Sequence, residues 1–310
     1  MTHPLAQFRL GTGVSAIDFP GLFRRIVALL LLGYVASALA VPFGSRYVLV
    51  VDDGTGKVLL EKNADVTVPM ASLTKLMTAM VVLDANPDMD ESISIEEPEI
   101  ATKKRSWSRL PLGTTLPRRT VLQLALMSSD NRAAASLARA YPGGDAAFIA
   151  AVQDKLQALE MTRTTIEEPT GLSSNNRSTA ADLVKMASAA AQYPDIARIT
   201  TDSSEIVDIN GRPMAYRNTN RLVGRKGWGI LLSKTGFTSP AGRCLIMRLQ
   251  AAGRTVTMVL LNAKASSARM RDAFSIRRFL AGGKTSPARA TAFNRTPPAV
   301  RHHVQLARAE

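Results

Sequence analysis

Segments rich in β-forming residues stand at both ends of the central region and enclose a helical middle, and this order constrains the fold most. Residues 46–52 and 57–62 flank the turn cluster 53–56, which predicts an N-terminal β-hairpin. Three more predicted strands, separated by turns that favour antiparallel pairing, follow at 228–233, 243–249 and 255–261. A closing helix is predicted over 266–280. The order predicts an α/β fold, an antiparallel sheet with flanking helices and a helical insertion.

The middle of the chain is predicted to be helical because its apolar residues recur at helical spacing. A first helix begins at Ser72, where good helix formers continue without Gly or Pro until Pro87. We expect its apolar face, at Leu76, Met80 and Leu83, to be buried. Further helices are predicted over 119–127, from 133 onward, over 145–159, and from an N-cap at Thr179 to residue 191.

The N-terminus carries the pattern of a secretory signal peptide. Arg24 and Arg25 precede an apolar run over 26–36, and a small-residue cleavage pattern ends at Ala40. The run is short for a membrane span, which needs about 20 apolar residues, and a retained anchor is the alternative. We therefore expect a signal peptide over 1–40, a folded domain over 41–282 and a basic, Pro- and Ala-rich disordered tail over 283–310. No stable membrane span is expected after cleavage.

The charge balance is strongly basic, with 39 Lys and Arg residues against 25 Asp and Glu and a formal net charge of +14. Such a balance favours an anionic partner. Nucleic acid is not expected to be that partner, because the charges are scattered and no segment interleaves basic with aromatic residues. An anionic cell-wall polymer is the class of partner that the composition favours.

The distribution of histidine and cysteine excludes several kinds of catalytic site. The three histidines are His3, His302 and His303. Residues 41–301 therefore cannot build a Ser-His-Asp triad or a histidine-ligated zinc site. Cys244 is the single cysteine, which rules out an intrachain disulfide, and we expect a buried, inert thiol. Neither a metal nor a cofactor is predicted, and a hydrolase of this composition must use Lys, Glu or Asp as its base.

Three short motifs occur in one order along the chain. They are Ser72-Leu73-Thr74-Lys75 at a helix start, Ser129-Asp130-Asn131 on a loop between helices, and Lys234-Thr235-Gly236 on a strand. Each motif alone is common by chance. Together, in this order and context, S-x-x-K, S-D-N and K-T-G are the signature of serine acyl transferases of the penicillin-recognising type.

The residue types in the first two motifs suit acyl transfer. Ser72 is the predicted nucleophile. Lys75, on the same helix face, is the predicted base, provided that burial and the second cation Lys234 lower its pKa. Ser129 is predicted to relay a proton to the departing amine. Asn131 is predicted to hold Lys75 and to contact the substrate amide.

The third motif and its neighbours are predicted to bind the substrate. Lys234 and Thr235 present a positive charge and a hydroxyl to the substrate carboxylate. Gly236 lets the strand backbone approach the substrate closely. The backbone N–H of Phe237, with that of the nucleophile, is the candidate oxyanion hole. Arg243 follows closely and is a candidate second ligand of a carboxylate.

The chain resembles the serine D-Ala-D-Ala peptidase family of low-molecular-mass penicillin-binding proteins, and within it the D-alanyl-D-alanine endopeptidases. The stretches that carry the resemblance surround the three motifs and include 141–144 and 168–173, so that it spans about 47–280. It implies a penicillin-binding-protein and β-lactamase-like transpeptidase fold. It also implies periplasmic cleavage of the D-alanyl–diaminopimelate cross-link in peptidoglycan, with peptidoglycan peptide stems as substrates and β-lactams as inhibitors.

Two alternatives concern the leaving group and the loss of catalysis. A D-Ala-D-Ala carboxypeptidase, which trims pentapeptides, attacks the same carbonyl. Relatives of that type commonly carry His after K-T-G and a second, all-β domain, whereas this chain has Phe237 and about thirty residues after the closing helix. This favours the endopeptidase. A non-catalytic penicillin-binding sensor would leave intact motifs unused.

A class A-like β-lactamase is the third alternative. It would need a deacylating glutamate in an E-x-x-L-N loop, and the segment that begins at Glu167-Glu168 does not match that pattern. We expect both glutamates to be solvated loop residues. Trp107 and Arg109 are expected either to line the cleft or to be structural, and Asp130 to turn away from the site.

Overall fold

The computed structural model describes residues 43–96 and 108–282. The predicted signal peptide, the predicted tail and Trp107 lie outside these residues. Within them the elements are, in chain order, β1 (Tyr47–Asp52), β2 (Val58–Lys62), β3 (Val68–Pro69), α1 (Lys75–Asp84), β4 (Ser92–Ser94), β5 (Thr115–Pro117), α2 (Arg118–Met127), α3 (Asn131–Arg139), α4 (Gly144–Ala158), β6 (Arg177–Ser178), α5 (Ala180–Ala190), α6 (Pro194–Thr201), β7 (Ser204–Ile209), β8 (Arg212–Arg217), β9 (Ile230–Thr238), β10 (Gly242–Ala251), β11 (Arg254–Ala263) and α7 (Ser266–Leu280).

The main sheet has five strands in the order β2-β1-β11-β10-β9, and every neighbouring pair is antiparallel. The N-terminal hairpin therefore joins the C-terminal strands directly through β1 and β11. Strand β9 forms one edge and continues to Thr238, beyond the predicted end at 233. The third motif thus lies within an edge strand, and the predicted sheet with its helical insertion is confirmed.

Alternating apolar side chains give the sheet a core on each face. In β1, Leu49 and Val51 face the helical region, whereas Val48 and Val50 belong to a second core. The closing helix α7 packs on this second core, and α5 packs on the other face of the sheet. The result is three layers, with the helical region and α7 on opposite sides of the sheet.

The first helix begins three residues later than predicted. Residues Ala71–Thr74 form a 3-10 turn, and α1 starts at Lys75. Leu76 and Met80 are fully buried as predicted, and Leu83 is partly buried. No helix in the described part of the chain is long and apolar enough to cross a membrane.

The β7–β8 hairpin and α6 were not predicted. Asn210 and Gly211 connect the two strands with φ angles of 54° and 80°. Positive φ at both central residues is the mark of a type I′ turn, and Asn-Gly is its preferred sequence. The hairpin was therefore detectable from this dipeptide between two β-rich segments.

Candidate active site

The fold brings the three motifs together from three different elements. Ser72 lies in the 3-10 turn, and the Lys75 Nζ lies 3.1 Å from its Oγ. The same ammonium lies 2.6 Å from Oδ1 of Asn131, at the start of α3. From the edge strand β9, Lys234 Nζ donates to Oγ of Ser129 at 2.8 Å. Lys75 thus links the first motif to the second, and Lys234 links the second motif to the third.

The 3-10 geometry aligns the nucleophile with its candidate base. A 3-10 helix has three residues per turn, so residues i and i+3 eclipse each other, and this places Lys75 beside Ser72. The preceding residue, Ala71, has a φ of 50°. This left-handed conformation costs a non-glycine residue about 1–3 kcal/mol and persists only where the surroundings hold it. Thr74 contributes to that hold by donating its Oγ1–H to the Ala71 carbonyl at 2.9 Å.

The Lys75 ammonium is buried and has three oxygen acceptors. Besides Ser72 and Asn131, it donates to the backbone carbonyl of Thr170 at 2.6 Å. Burial lowers the pKa of Lys75 to about 8, against the opposing influence of the carboxylates of Glu168 and Asp130. At pH 7 about a tenth of such a lysine is neutral, which is enough for it to accept a proton.

The Lys234 ammonium is equally buried but faces cations. Burial, followed by repulsion from Lys75 and Arg269, lowers the pKa of Lys234 well below its usual value. It donates to Ser129 and to the Thr235 carbonyl, at 3.1 Å, and has no carboxylate partner among the described residues. A carboxylate bound at this position would favour the charged form of the Lys234 amine, so the site suits an anion.

The second motif forms a constrained loop between α2 and α3. Ser129 has a φ of 61°, another left-handed non-glycine residue. Asp130 caps α3 by accepting from the Ala133 N–H at 3.1 Å, and it also accepts from Ser108 Oγ at 2.8 Å. Its side chain is therefore engaged by α3 and by a segment that precedes β5, while its charge still acts on Lys75.

Two glycines, one in β9 and one in the segment before β6, pack closely against the Ala71–Ser72 peptide. A Cβ at Gly236 would lie 3.1 Å from the Ser72 nitrogen. A Cβ at Gly171 would lie 2.0 Å from the Ala71 carbonyl oxygen, and Gly171 has a φ of +84°. The prediction for Gly236 was close approach to the substrate. The structure adds a different close approach, to the backbone of the nucleophile.

The remaining predicted binding residues lie beside the third motif. Thr235 Oγ1 lies 2.7 Å from Thr219 Oγ1. Phe237 is 49% exposed, and the Arg243 guanidinium carbon lies 3.5 Å from the centre of its ring. The two are cross-strand partners on β9 and β10, so the pairing register sets this stack. The Arg243 side chain thereby lies against the edge strand β9, which also carries Lys234.

The prediction that both loop glutamates are solvated is wrong for one of them. Glu167 is exposed, but Glu168 is only 2% exposed. The Glu168 carboxylate accepts hydrogen bonds from the N–H and Oγ1–H of Thr170, from the Gly171 N–H and from Asn176 Nδ2, at 2.5–3.0 Å. Because these donors are available only within the folded loop, composition alone could not show that this carboxylate is buried.

The motifs also did not reveal a third cation near the site. Arg269, on α7, is buried and donates from Nη1 to the Cys244 carbonyl at 2.8 Å, while its Nε has no partner. Cys244 is buried as predicted, and burial raises the pKa of its thiol to about 11. Nothing in the local sequence signals Arg269. It comes near Lys234 only when α7 packs on the folded sheet.

Arg109 has a structural contact. Its guanidinium carbon lies 4.1 Å from the centre of the Tyr216 ring, on the β7–β8 hairpin.

Among residues 43–96 and 108–282, no group of three or more His, Cys, Asp or Glu side chains is placed to hold a metal ion.

A family model described as D-alanyl-D-alanine carboxypeptidase matches residues 36–265. The chain belongs to this family. The D-alanyl-D-alanine endopeptidase of Pseudomonas aeruginosa is 45% identical over 249 residues, which cover 79% of this chain and 80% of that protein. The D-alanyl-D-alanine endopeptidase of Escherichia coli is 42% identical, with the same shares covered. The chain is therefore a serine D,D-peptidase, as its motifs predicted.

Solved structures of the family share the fold. The Streptomyces K15 DD-transpeptidase has a TM-score of 0.71 and 26% identity, covering 77% of this chain and 97% of its own. Penicillin-binding protein D2 of Listeria monocytogenes, in a cefotaxime-bound form, has a TM-score of 0.65 and 26% identity, with the same shares covered. These similarities confirm the predicted penicillin-binding-protein fold.

Proposed function

We propose that this protein is a periplasmic D-alanyl-D-alanine endopeptidase that hydrolyses D-alanyl–diaminopimelate cross-links of peptidoglycan through an acyl-enzyme on Ser72. The observation that carries the proposal is the Ser72–Lys75 pair, in which the hydroxyl lies 3.1 Å from a buried amine with a pKa of about 8. The choice of endopeptidase is supported by relatives of that name at 45% and 42% identity.

Acylation begins with proton transfer from Ser72 to neutral Lys75. The Oγ attacks the carbonyl carbon of the penultimate D-alanine, and the backbone N–H groups of Ser72 and Phe237 stabilise the resulting oxyanion. Gly171 and Gly236 support this arrangement, because both fix the peptide that supplies one of these N–H groups. Preorganised donors of this kind contribute about 2.7–4 kcal/mol each to transition-state stabilisation.

The leaving group is the amine at the D-centre of the cross-linking diaminopimelate. As the C–N bond breaks, Ser129 passes a proton to the nitrogen, so that the Ser72 proton reaches it in net terms by way of Lys75. Lys234 and Thr235 bind the carboxylate beside that nitrogen, and Arg243 contributes positive charge at the rim. Asn131 contacts the substrate amide while it holds Lys75, 2.6 Å away.

Deacylation requires water in place of the amine, with Lys75 again accepting the proton. In this proposal a β-lactam acylates Ser72 in the same way but is released slowly, because Glu168 has its oxygens occupied by donors of its own loop. A carboxylate engaged in this way does not hold a hydrolytic water. We therefore expect slow nitrocefin turnover, and rapid turnover would favour a β-lactamase instead.

Export is part of the proposal. Residues 1–40 act as a cleaved signal peptide, 41–282 form the peptidase domain, and 283–310 are a basic tail. After cleavage, 36 Lys and Arg residues remain against 24 Asp and Glu, and the net charge of +12 attracts the enzyme to an anionic wall polymer. Mass spectrometry of the protein recovered from the periplasm is expected to show an N-terminus at Val41. An intact N-terminus on a membrane-bound protein would instead indicate a retained anchor.

Carboxypeptidase activity is the second candidate, because the matching family model carries that description. Both reactions use the same acyl-enzyme and differ in the amine released. Purified protein is incubated with cross-linked dimeric muropeptides and, separately, with pentapeptide monomers, and the products are resolved by mass. The proposal predicts that dimers become monomers faster than pentapeptides lose D-alanine, and that Ser72→Ala abolishes both reactions. Trimming of pentapeptides with intact dimers would contradict it.

A further inference from the structure

The segment 168–176, which precedes β6, packs against both the nucleophile and its base. Its carbonyl at Thr170 accepts from Lys75 Nζ at 2.6 Å. The neighbouring Gly171 lies so close to the Ala71 carbonyl that no side chain fits between them. The position of this one turn therefore affects two atoms of the reaction, the proton-accepting nitrogen and the backbone N–H of Ser72.

A single buried carboxylate holds that turn in place. Glu168 accepts from the Thr170 N–H at 2.7 Å and from its Oγ1–H at 2.5 Å, and from the Gly171 N–H at 2.6 Å. Asn176 Nδ2 adds a hydrogen bond at 3.0 Å to the same carboxylate and another at 2.8 Å to the Glu168 carbonyl. Hydrogen bonds to an ionised acceptor are stronger than neutral ones, and here four of them converge on one carboxylate.

The same segment is fastened to α1 and the 3-10 turn at two further points. Thr78 Oγ1 donates to the Pro169 carbonyl at 2.7 Å, and Asn176 Nδ2 lies 3.2 Å from Thr74 Oγ1. Thr74 in turn donates to the Ala71 carbonyl. The Glu168 network is thus continuous with the strained residue that precedes the nucleophile.

We propose that Glu168 is a positioning residue for acyl transfer, acting through the Thr170–Gly171 turn on Lys75 and on the Ser72 backbone. This inference rests on the proposed function. It assigns no proton transfer to Glu168, whose oxygens are already occupied. The residue acts by placing the third acceptor of the Lys75 ammonium and by contributing a negative charge near it.

The charges around Lys75 predict a measurable consequence. Glu168 and Asp130 raise the pKa of Lys75 against the dominant effect of burial, and Lys234 repels the ammonium from β9. Removing the Glu168 charge therefore lowers the pKa of Lys75. Because the neutral amine is the reactive form, the acidic limb of the acylation rate must move to lower pH. A loss of fold alone would not produce this shift.

The test measures the second-order rate constant for acylation by a fluorescent penicillin between pH 6 and 10. Glu168→Gln is expected to shift the acidic limb to lower pH and to reduce the plateau rate about 10-fold or more, since small displacements of catalytic groups have large effects. Glu168→Asp keeps the charge and shortens the side chain, so its limb stays near the native pH while its plateau falls. The control is Glu167→Gln, on the adjacent exposed residue. The Glu167 carboxylate accepts from Ser173 Oγ and Asn175 Nδ2 and not from the Thr170–Gly171 turn, so native values are expected.

Native limb and native plateau in Glu168→Gln would overturn the inference, as would equal effects in Glu167→Gln. If Glu168→Gln does not fold, Thr170→Val decides, because it removes the Oγ1–H donor at 2.5 Å and keeps the backbone carbonyl that Lys75 uses. A reduced plateau with a native melting temperature supports the proposal, and an unchanged plateau overturns it. Absence of labelling in the native protein would instead refute the proposed function itself.

Discussion

The two walls of the candidate site each carry a buried lysine, and the two lysines have opposite electrostatic surroundings. Lys75, on the helical side, has three oxygen acceptors and two carboxylates in range, and burial leaves its pKa at about 8. Lys234, on the strand side, faces Lys75 and Arg269, and burial together with these two cations lowers its pKa well below the usual value. The same side chain thus suits two tasks, a base near neutral pH on one wall and an anion site on the other.

The largest expected effect is on the helical wall. Lys75→Ala removes the proposed base beside Ser72, and general base catalysis contributes about 10²–10⁴-fold. We expect the rate of acylation by a fluorescent penicillin to fall by about 10³-fold, with a folded protein by circular dichroism. Labelling within 10-fold of the native rate would show that another group accepts the Ser72 proton.

The strand wall is tested by changing the charge of the ligand. Lys234→Gln is expected to slow acylation by a carboxylate-bearing β-lactam about 10- to 100-fold, because a hydrogen bond to a charged group contributes about 1.5–3 kcal/mol. The methyl ester of the same β-lactam lacks the anion and serves as the control, with a much smaller change expected. Equal losses for acid and ester would refute a carboxylate site at Lys234.

Substitutions at Gly171 and Gly236 test how closely each side of the site packs against the Ala71–Ser72 peptide. Gly171→Ala places a Cβ 2.0 Å from the Ala71 carbonyl oxygen at a φ of +84°, whereas Gly236→Ala gives contacts of 3.1 Å without a positive φ. Overpacking costs about 1–3 kcal/mol, so we expect Gly236→Ala at the lower end and Gly171→Ala beyond it. Urea unfolding of both variants measures the difference. A Gly171→Ala variant more stable than Gly236→Ala would contradict the described approach.

The smallest expected effect concerns Asp130. Its carboxylate raises the pKa of Lys75 less than that of Glu168 does, since Glu168 is the larger of the two opposing influences. Asp130→Asn keeps an N-cap side chain for α3 and removes the charge. The acidic limb of acylation should therefore move to lower pH by less than in Glu168→Gln. A larger shift would reverse the assigned order of the two carboxylates.

Much of this comparison could be predicted from the sequence. The motifs at Ser72, Ser129 and Lys234 identified both lysines, and the absence of histidine from 41–301, together with the S-x-x-K motif, favoured lysine as the predicted base. The sheet followed from the β-rich segments at both ends. The Asn210-Gly211 dipeptide also carries the sequence signal of a hairpin turn. These features depend on local patterns, which a sequence carries directly.

What the sequence did not provide depends on contacts between distant segments. Glu168 stands in an ordinary polar loop, and its burial depends on donors that meet only after folding. Arg269 reaches the site through the packing of α7 on the sheet. The stack of Arg243 on Phe237 depends on strand register. Glu168 changes the pKa of Lys75, Arg269 changes the pKa of Lys234, and the Arg243–Phe237 stack lies beside the third motif.

The central claim is that a lysine tuned by burial and carboxylates activates the nucleophile. The most direct measurement is the pH dependence of acylation by a fluorescent penicillin in the native protein. The account predicts an acidic limb of unit slope with a midpoint near the Lys75 pKa of about 8. A rate that stays constant between pH 6 and 9 would contradict it.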